Sequence, residues 1–96
     1  MTPPGGGHAK SVDVNQAEIV AALRACGYRV LTMHAVGGGF PDLIVAKAGN
    51  VWLLEVKAAT GRLTPAQERF IETWSGPSVH VVRSIAEALE AVGVEP

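Results

Sequence analysis

The chain has 96 residues, of which 48% are hydrophobic and 18% are charged, and its formal net charge is −1. These values are typical of one globular domain with a modest core, and they exclude a disordered chain. No apolar run approaches the roughly 18–20 residues that span a bilayer, and the N-terminus carries no apolar signal segment, so we expect a cytoplasmic protein. The net charge neither indicates nor excludes a nucleic-acid partner. The single cysteine excludes an internal disulfide.

The first residues predict a flexible arm followed by a helix. Residues 1–12 mix proline, glycine and polar side chains without periodicity, and we place a single domain at residues 13–96. The helix is predicted to begin at Asp13 or Asn15 and to end at Cys26, which we expect in the core. Its apolar side chains recur at helical spacing, at Ile19, Val20, Leu23 and Cys26.

Glu18 has an ordinary structural explanation. A capping box is predicted at the helix start, formed by Asp13 with Gln16 or by Asn15 with Glu18. In the second arrangement, the Glu18 carboxylate accepts hydrogen bonds from backbone N–H groups and interacts favourably with the helix dipole. The residue types alone favour this explanation over a role in a functional site.

A strand and a glycine-rich connection follow the helix. Residues 28–34 are rich in strand-forming residues and predict the first strand. Gly37, Gly38 and Gly39 come shortly after it. Consecutive glycines allow a backbone to approach a phosphate closely, which makes Gly38 and Gly39 candidate nucleic-acid contacts. A mobile loop between antiparallel strands explains them equally well.

Three charges interrupt the most apolar part of the chain, residues 39–57. Two strands are predicted there, joined by a tight turn at Ala48-Gly49. Asp42 opens the first strand, while Glu55 and Lys57 share one face near the end of the second. A two-residue loop places Asp42 opposite Glu55, and a four-residue loop places it opposite Lys57. Both loops keep the three charges on one face.

These charges have two interpretations. Glu55 and Lys57 could form an exposed ion pair, with Pro41-Asp42 as a turn. Residues 51–56 are otherwise almost wholly apolar, however, as in a strand covered on both faces, where a charge is costly unless it is paired or bound to a metal. Two carboxylates on directly opposed residues repel each other unless a cation lies between them. Mg²⁺ and Mn²⁺ prefer such oxygen ligands, so the pattern favours a metal site.

The rest of the chain completes an α/β pattern. Thr64 is a predicted N-cap, with Pro65 in the first turn and Gln67 closing a capping box. A short strand is predicted at residues 79–82, and a last helix follows Ser84. The order αβββαβα predicts an antiparallel meander of three strands and a fourth strand parallel to the third. We therefore expect a mixed four-stranded sheet in a three-layer α/β/α fold.

The charged hairpin resembles a nuclease signature. Pro41-Asp42, followed after twelve residues by Glu55-Val56-Lys57, is similar to the signature of the PD-(D/E)XK superfamily. Within it, the chain is most similar to the virus-type replication-repair nuclease (VRR-NUC) family. The segments that carry this similarity are Gly39-Phe40-Pro41-Asp42-Leu43, Leu54-Glu55-Val56-Lys57 and Gly61-x-Leu63-Thr64-x-x-Gln67. The resemblance covers roughly residues 14–92 and implies a restriction-endonuclease-like fold.

The resemblance also implies roles for individual residues. Asp42 and Glu55 would coordinate Mg²⁺ or Mn²⁺, helped by the backbone carbonyl of Val56. Lys57 would orient or help deprotonate the attacking water and stabilise charge on the phosphate.

Residues outside the hairpin are implied as well. Related nucleases, among them archaeal Holliday-junction resolvases, place a glutamate of the first helix at the metal, and Glu18 matches it. Gln67 matches the family's glutamine at the start of the helix after the third strand, so it is both a predicted cap and a predicted active-site contact. Thr60 and Arg62 follow the third strand and are candidate phosphate contacts.

The function that the resemblance implies is that of a metal-dependent endonuclease that hydrolyses DNA. Branched or junction DNA, a homodimer, and a bacterial or phage-infected cell are implied in the same way. Two alternatives remain open. One is a DNA-binding or assembly module that keeps the fold without cutting, and the other is an RNA-directed nuclease.

Overall fold

The computed structural model describes residues 12–94, which form three helices and four strands. In chain order the elements are α1 (Val12–Ala25), β1 (Arg29–Thr32), β2 (Leu43–Lys47), β3 (Asn50–Val56), α2 (Pro65–Thr73), β4 (Val79–Val82) and α3 (Ile85–Ala91). The predicted order αβββαβα is confirmed. The predicted arm at residues 1–12 lies outside the described residues except for Val12, which is helical. No helix within residues 12–94 is long and apolar enough to cross a membrane.

The four strands form one sheet in the order β1-β2-β3-β4. Pairing is antiparallel as far as β3 and parallel between β3 and β4, so the predicted mixed sheet is confirmed. The β2–β3 turn has two residues, because Lys47 pairs with Asn50. Ala48 and Gly49 have φ values of 51° and 84°, and a type I′ hairpin turn requires positive φ at both positions. This turn fixes the register of the hairpin.

One face of the sheet packs against α1 and α3 around an apolar core. Leu43 and Val45 of β2 and Leu54 and Val56 of β3 are each at most 1% exposed. The other buried members of the core are Ile19, Val20, Leu23, Val30, Val82, Ala88 and Val92. Full burial of each large aliphatic side chain contributes roughly 1.5–3 kcal/mol. This face therefore supplies most of the hydrophobic stabilisation.

The second face of the sheet is covered by α2 at one end only. Glu55 points to this face, because side chains alternate along a strand and both of its neighbours belong to the core. Gln67 of α2 contacts Glu55 there. Further along the same face, Leu31 and Val51 are 50% and 48% exposed. The sheet thus lies between two helix layers, as predicted, but the second layer is incomplete.

An aromatic cluster and a close backbone approach attach α2 to the loop before β2. Phe40 makes an edge-to-face contact with Phe70 at a centroid distance of 5.3 Å, and Phe70 stacks on Trp74 at 4.9 Å. Gly39 has φ +82°, and a Cβ on it would lie 2.3 Å from the carbonyl oxygen of Ala66. Only a glycine therefore allows the loop to approach the first turn of α2 so closely.

Gly39→Ala is expected to lower the free energy of unfolding by about 3 kcal/mol, because it adds a left-handed alanine and a steric clash. Gly38→Ala is the matched control. Gly38 also has positive φ, at +66°, but apart from its own chain neighbours no heavy atom of the described residues lies within 4 Å of its Cβ position. Its expected loss is about 1 kcal/mol. Urea unfolding measures both values, and equal losses would contradict the close packing of Gly39.

The predicted capping boxes of α1 are wrong. The helix already begins at Val12, so Asp13 lies in its first turn and Asn15 lies further inside it. Neither residue is the N-cap, and the capping explanation of Glu18 is lost with them. The amide of Asn15 has long-range backbone partners instead.

The prediction that Cys26 belongs to the core is also wrong. The helix ends at Ala25, and the chain then turns at Gly27 with φ +87°. Cys26 lies in this turn, where it is exposed.

Candidate active site

Asp42 and Glu55 face each other at the ends of β2 and β3. Leu43 pairs with Leu54, so one step further along the hairpin Asp42 lies opposite Glu55. This is the register of a two-residue loop, and it excludes the four-residue alternative. Oδ2 of Asp42 accepts a 2.8 Å hydrogen bond from the backbone N–H of Val56. That bond holds the Asp42 carboxylate beside β3.

The Glu55 carboxyl is buried, with only 2% of the residue exposed. Burial is the largest cause that raises the pKa of Glu55 from 4.5 to about 8, and neighbouring Asp42 raises it further. Lys57 opposes this effect, with Nζ 3.7 Å from Oε2 of Glu55. The interpretation as an exposed ion pair is therefore excluded. Two adjacent carboxyl groups that are shielded from solvent favour the binding of a cation, because its charge offsets their mutual repulsion.

Gln67 connects the cap of α2 to this pair through the oxygen and the nitrogen of its side-chain amide. Its Oε1 accepts a 2.8 Å hydrogen bond from the backbone N–H of Thr64, while the backbone N–H of Gln67 donates to Oγ1 of Thr64 at 3.2 Å. These two bonds form the predicted capping box. Its Nε2 donates a 2.9 Å bond to Oε2 of Glu55. Cap and contact use different atoms, so the two predicted features coexist.

The paired carboxylates fit a hard divalent cation. Mg²⁺ is commonly held by one or two carboxylates together with waters and substrate phosphates, and Asp42 with Glu55 offers that donor set. Residues 12–94 contain no group of three or more His, Cys, Asp or Glu side chains that could hold a metal ion. Glu18, half-buried on α1, is thus not gathered with the pair as a third carboxylate. The ligand roles of Glu18 and of the Val56 carbonyl stay predictions.

The candidate nucleic-acid contacts lie in two loops. Thr60 and Arg62 are exposed in the loop after β3, and Gly38 is exposed in the loop before β2. Gly39 is packed against α2, so a structural reason accounts for this glycine. None of the four touches the carboxylate pair through a hydrogen bond in the described part of the chain.

Two polar residues near the site were missed by sequence reasoning. Asn15 is 7% exposed and donates to the carbonyl oxygens of Lys57 and Arg83. It stands four residues before Ile19 on the apolar stripe of the helix, and a polar residue on such a stripe is a signal that could have revealed it. Arg83 donates to carbonyl oxygens of the loop after β3. No local sequence pattern predicts the contact between Arg83 and this loop.

Comparison with known proteins identifies the family. A family model for the VRR-NUC domain matches residues 7–84. No curated protein and no solved structure matches the chain. The match includes every element from α1 to β4, and with them the hairpin that carries Asp42, Glu55 and Lys57 as well as Gln67. The chain therefore belongs to the VRR-NUC family of the PD-(D/E)XK superfamily, and its domain is a nuclease.

Proposed function

We propose that this domain is an endonuclease that hydrolyses DNA phosphodiester bonds with Mg²⁺ or Mn²⁺ held by Asp42 and Glu55. The observation that carries the proposal is the buried Glu55 carboxyl facing Asp42, with Lys57 beside it. A divalent cation held by Asp42 and Glu55 would supply positive charge that acidifies a water nucleophile and stabilises charge on the phosphate. The family and the donor set support this assignment.

The side chains around the pair have separate tasks in this mechanism. Asp42 is oriented by the N–H of Val56, and Glu55 is oriented by the amide of Gln67. Lys57 keeps its ammonium near Glu55, and its side chain is 13% exposed. From there it orients the attacking water and stabilises negative charge that develops on the phosphate.

Gln67→Ala is expected to lower cleavage about tenfold, because it removes the donor that orients Glu55. It should also cost about 1 kcal/mol of stability through the lost cap. Thr64→Ala is the matched control, since it removes the capping oxygen and leaves the amide that contacts Glu55. It should lose similar stability and keep most of the activity. If the two variants cut equally well, the contact between Gln67 and Glu55 has no part in catalysis.

We further propose that the substrate is branched or junction DNA and that the protein acts as a homodimer. A domain this small has little surface with which to hold a duplex, and phosphate contacts by the loops carry no base information. A two-fold dimer would present two active sites for paired cuts. The family resemblance supports a role in replication, repair or recombination in a phage or prophage setting.

A cleavage panel tests these proposals. Four-way junction, flap, nicked duplex, single-stranded DNA and duplex RNA are incubated with Mg²⁺ or Mn²⁺, with Lys57→Ala as the inactive control. Preferred cutting of branched DNA by wild type alone is expected. Cutting by Lys57→Ala at the wild-type rate would refute the catalytic assignment, and preferred cutting of RNA would refute the substrate. Sedimentation of a monomer at micromolar concentration would exclude paired cutting.

A further inference from the structure

Residues 58–62 form the loop that leads from β3 towards the cap of α2, and the Arg83 side chain binds the backbone of this loop. Nη1 of Arg83 donates to the carbonyl oxygens of Ala58 and Gly61, both at 2.7 Å, and lies 3.4 Å from that of Ala59. The N–H of Gly61 closes a turn on the Ala58 oxygen at 3.0 Å. One charged nitrogen thus binds three carbonyl oxygens of the 58–62 loop, and these three oxygens point to the same side of the loop.

This arrangement determines where the amide groups of the loop point. No peptide bond in the described residues is cis, and in a trans peptide the C=O of one residue and the N–H of the next point in opposite directions. The N–H groups of Ala59 and Arg62 therefore point away from the guanidinium. The N–H of Thr60 points away from it as well, although the Ala59 carbonyl of the same peptide makes only the 3.4 Å contact. These three residues are exposed, and their N–H groups donate to no acceptor within residues 12–94. The solvent side of the loop therefore carries three amide donors, those of Ala59, Thr60 and Arg62.

The base of the loop is tied to the active site. The buried amide of Asn15 donates to the carbonyl oxygens of Lys57 and Arg83, at 3.1 and 3.0 Å. The N–H of Lys57 donates to the Val82 oxygen at 3.0 Å. Lys57 and Arg83 are thereby held at a fixed separation, so the loop starts from a defined position beside the carboxylate pair.

We propose that Arg83 is a positioning residue that keeps the 58–62 loop in a phosphate-binding conformation. Its guanidinium binds the carbonyl oxygens, which would otherwise repel an anion, and leaves the amide N–H groups and Arg62 to contact a DNA phosphate next to the scissile one. Arg83 itself is occupied by the loop and acts through it. This inference rests on the proposed nuclease function and adds the backbone of residues 59–62 to its DNA-binding surface.

Arg83→Met and Arg83→Lys test the proposal, with Arg29→Met as the control. Arg29 carries the same charge but is exposed on β1, at the opposite edge of the sheet from β4. Three quantities are measured: hydrogen exchange of the Gly61 amide, DNA affinity by fluorescence anisotropy in Ca²⁺, and kcat and KM for cleavage in Mg²⁺. Circular dichroism and Mn²⁺ titration establish that each variant is folded and binds the metal.

Arg83→Met is expected to speed Gly61 exchange and to weaken DNA binding about tenfold, with a matching rise in KM and a nearly unchanged kcat. Arg83→Lys should fall between Met and wild type, because an ammonium can reach fewer of the carbonyl oxygens. Arg29→Met should leave exchange and KM close to wild type. The exchange measurement needs no nuclease activity, and the circular dichroism measurement distinguishes faster exchange in the loop from partial unfolding of the variant.

Two results would overturn the inference while leaving the proposed function intact. In the first, Gly61 exchanges at the wild-type rate in Arg83→Met, which would show that Arg83 does not hold the loop. In the second, exchange accelerates but DNA affinity equals that of Arg29→Met, which would show that the loop conformation is not used for binding. Wild type that neither binds nor cuts DNA would instead remove the proposed function itself.

Discussion

Asp42→Asn is expected to reduce cleavage by about 10³-fold, or roughly 4 kcal/mol of transition-state stabilisation, because it removes one of the two charged ligands that we propose for the cation. The substitution keeps the shape of the side chain and an oxygen that can accept the N–H of Val56. The measurement is single-turnover cleavage of the preferred DNA substrate in Mg²⁺. Calorimetric titration should show that Mn²⁺ binding weakens in parallel.

The stability of the same variant separates a catalytic role from a structural one. The charge of Asp42 contributes to the raised pKa of Glu55, so its removal relieves repulsion in the metal-free protein. Asp42→Asn should therefore unfold at a temperature equal to or above that of wild type at pH 8 in EDTA. A large loss of stability would mean that Asp42 holds the fold, and reduced cleavage would then say nothing about catalysis.

The metal-free protein is expected to lose stability as the pH rises from about 4.5 to 8. The pKa of Glu55 is raised in the folded state, from 4.5 to about 8, so the folded protein binds this proton more tightly than the unfolded chain does. The stability that the proton provides is fully present below the unfolded pKa and is lost as the pH rises through the folded one. At about 1.4 kcal/mol for each pKa unit between 4.5 and 8, the full loss is roughly 5 kcal/mol.

Glu55→Gln is the control for this effect, because its amide is of similar size and does not titrate. Urea unfolding in EDTA at several pH values should give a steep decline for wild type and a shallow one for the variant. Millimolar Mg²⁺ should flatten the wild-type curve as well, because the cation favours the ionised carboxylate. Parallel curves for wild type and Glu55→Gln would contradict the burial of an acid at this position.

The features that could be predicted from sequence are set by contacts between near neighbours. The Ala48-Gly49 turn determines the hairpin register, and that register brings Asp42 to Glu55. The cap of α2 is equally local, since Thr64 and Gln67 are three residues apart. In both cases the conformation of a few residues decides the outcome, so pattern and structure agree.

The features that were missed depend on partners that are distant in sequence. Asn15 bonds to oxygens 42 and 68 residues away, and the Arg83 guanidinium bonds to oxygens 22 and 25 residues away. The local sequence alone predicts that Asn15 caps the helix, because capping is the use of an asparagine side chain that needs only near neighbours. The glycine run alone predicts a phosphate contact or a mobile loop at Gly39 for the same reason, because its close contact with Ala66 exists only once α2 has packed.

The incomplete second layer has a consequence for how the site assembles. No residue of α2 is buried, so the helix is attached through Gly39, the aromatic cluster and the bond from Gln67 to Glu55. An element with so little buried surface opens at a lower free energy than the core does. Each such opening withdraws Gln67 from Glu55 while the hairpin and the core stay folded. With the proposed role of Gln67 in catalysis, cleavage would depend on the docking equilibrium of this one helix, and DNA bound to the neighbouring 58–62 loop would shift that equilibrium towards the docked state.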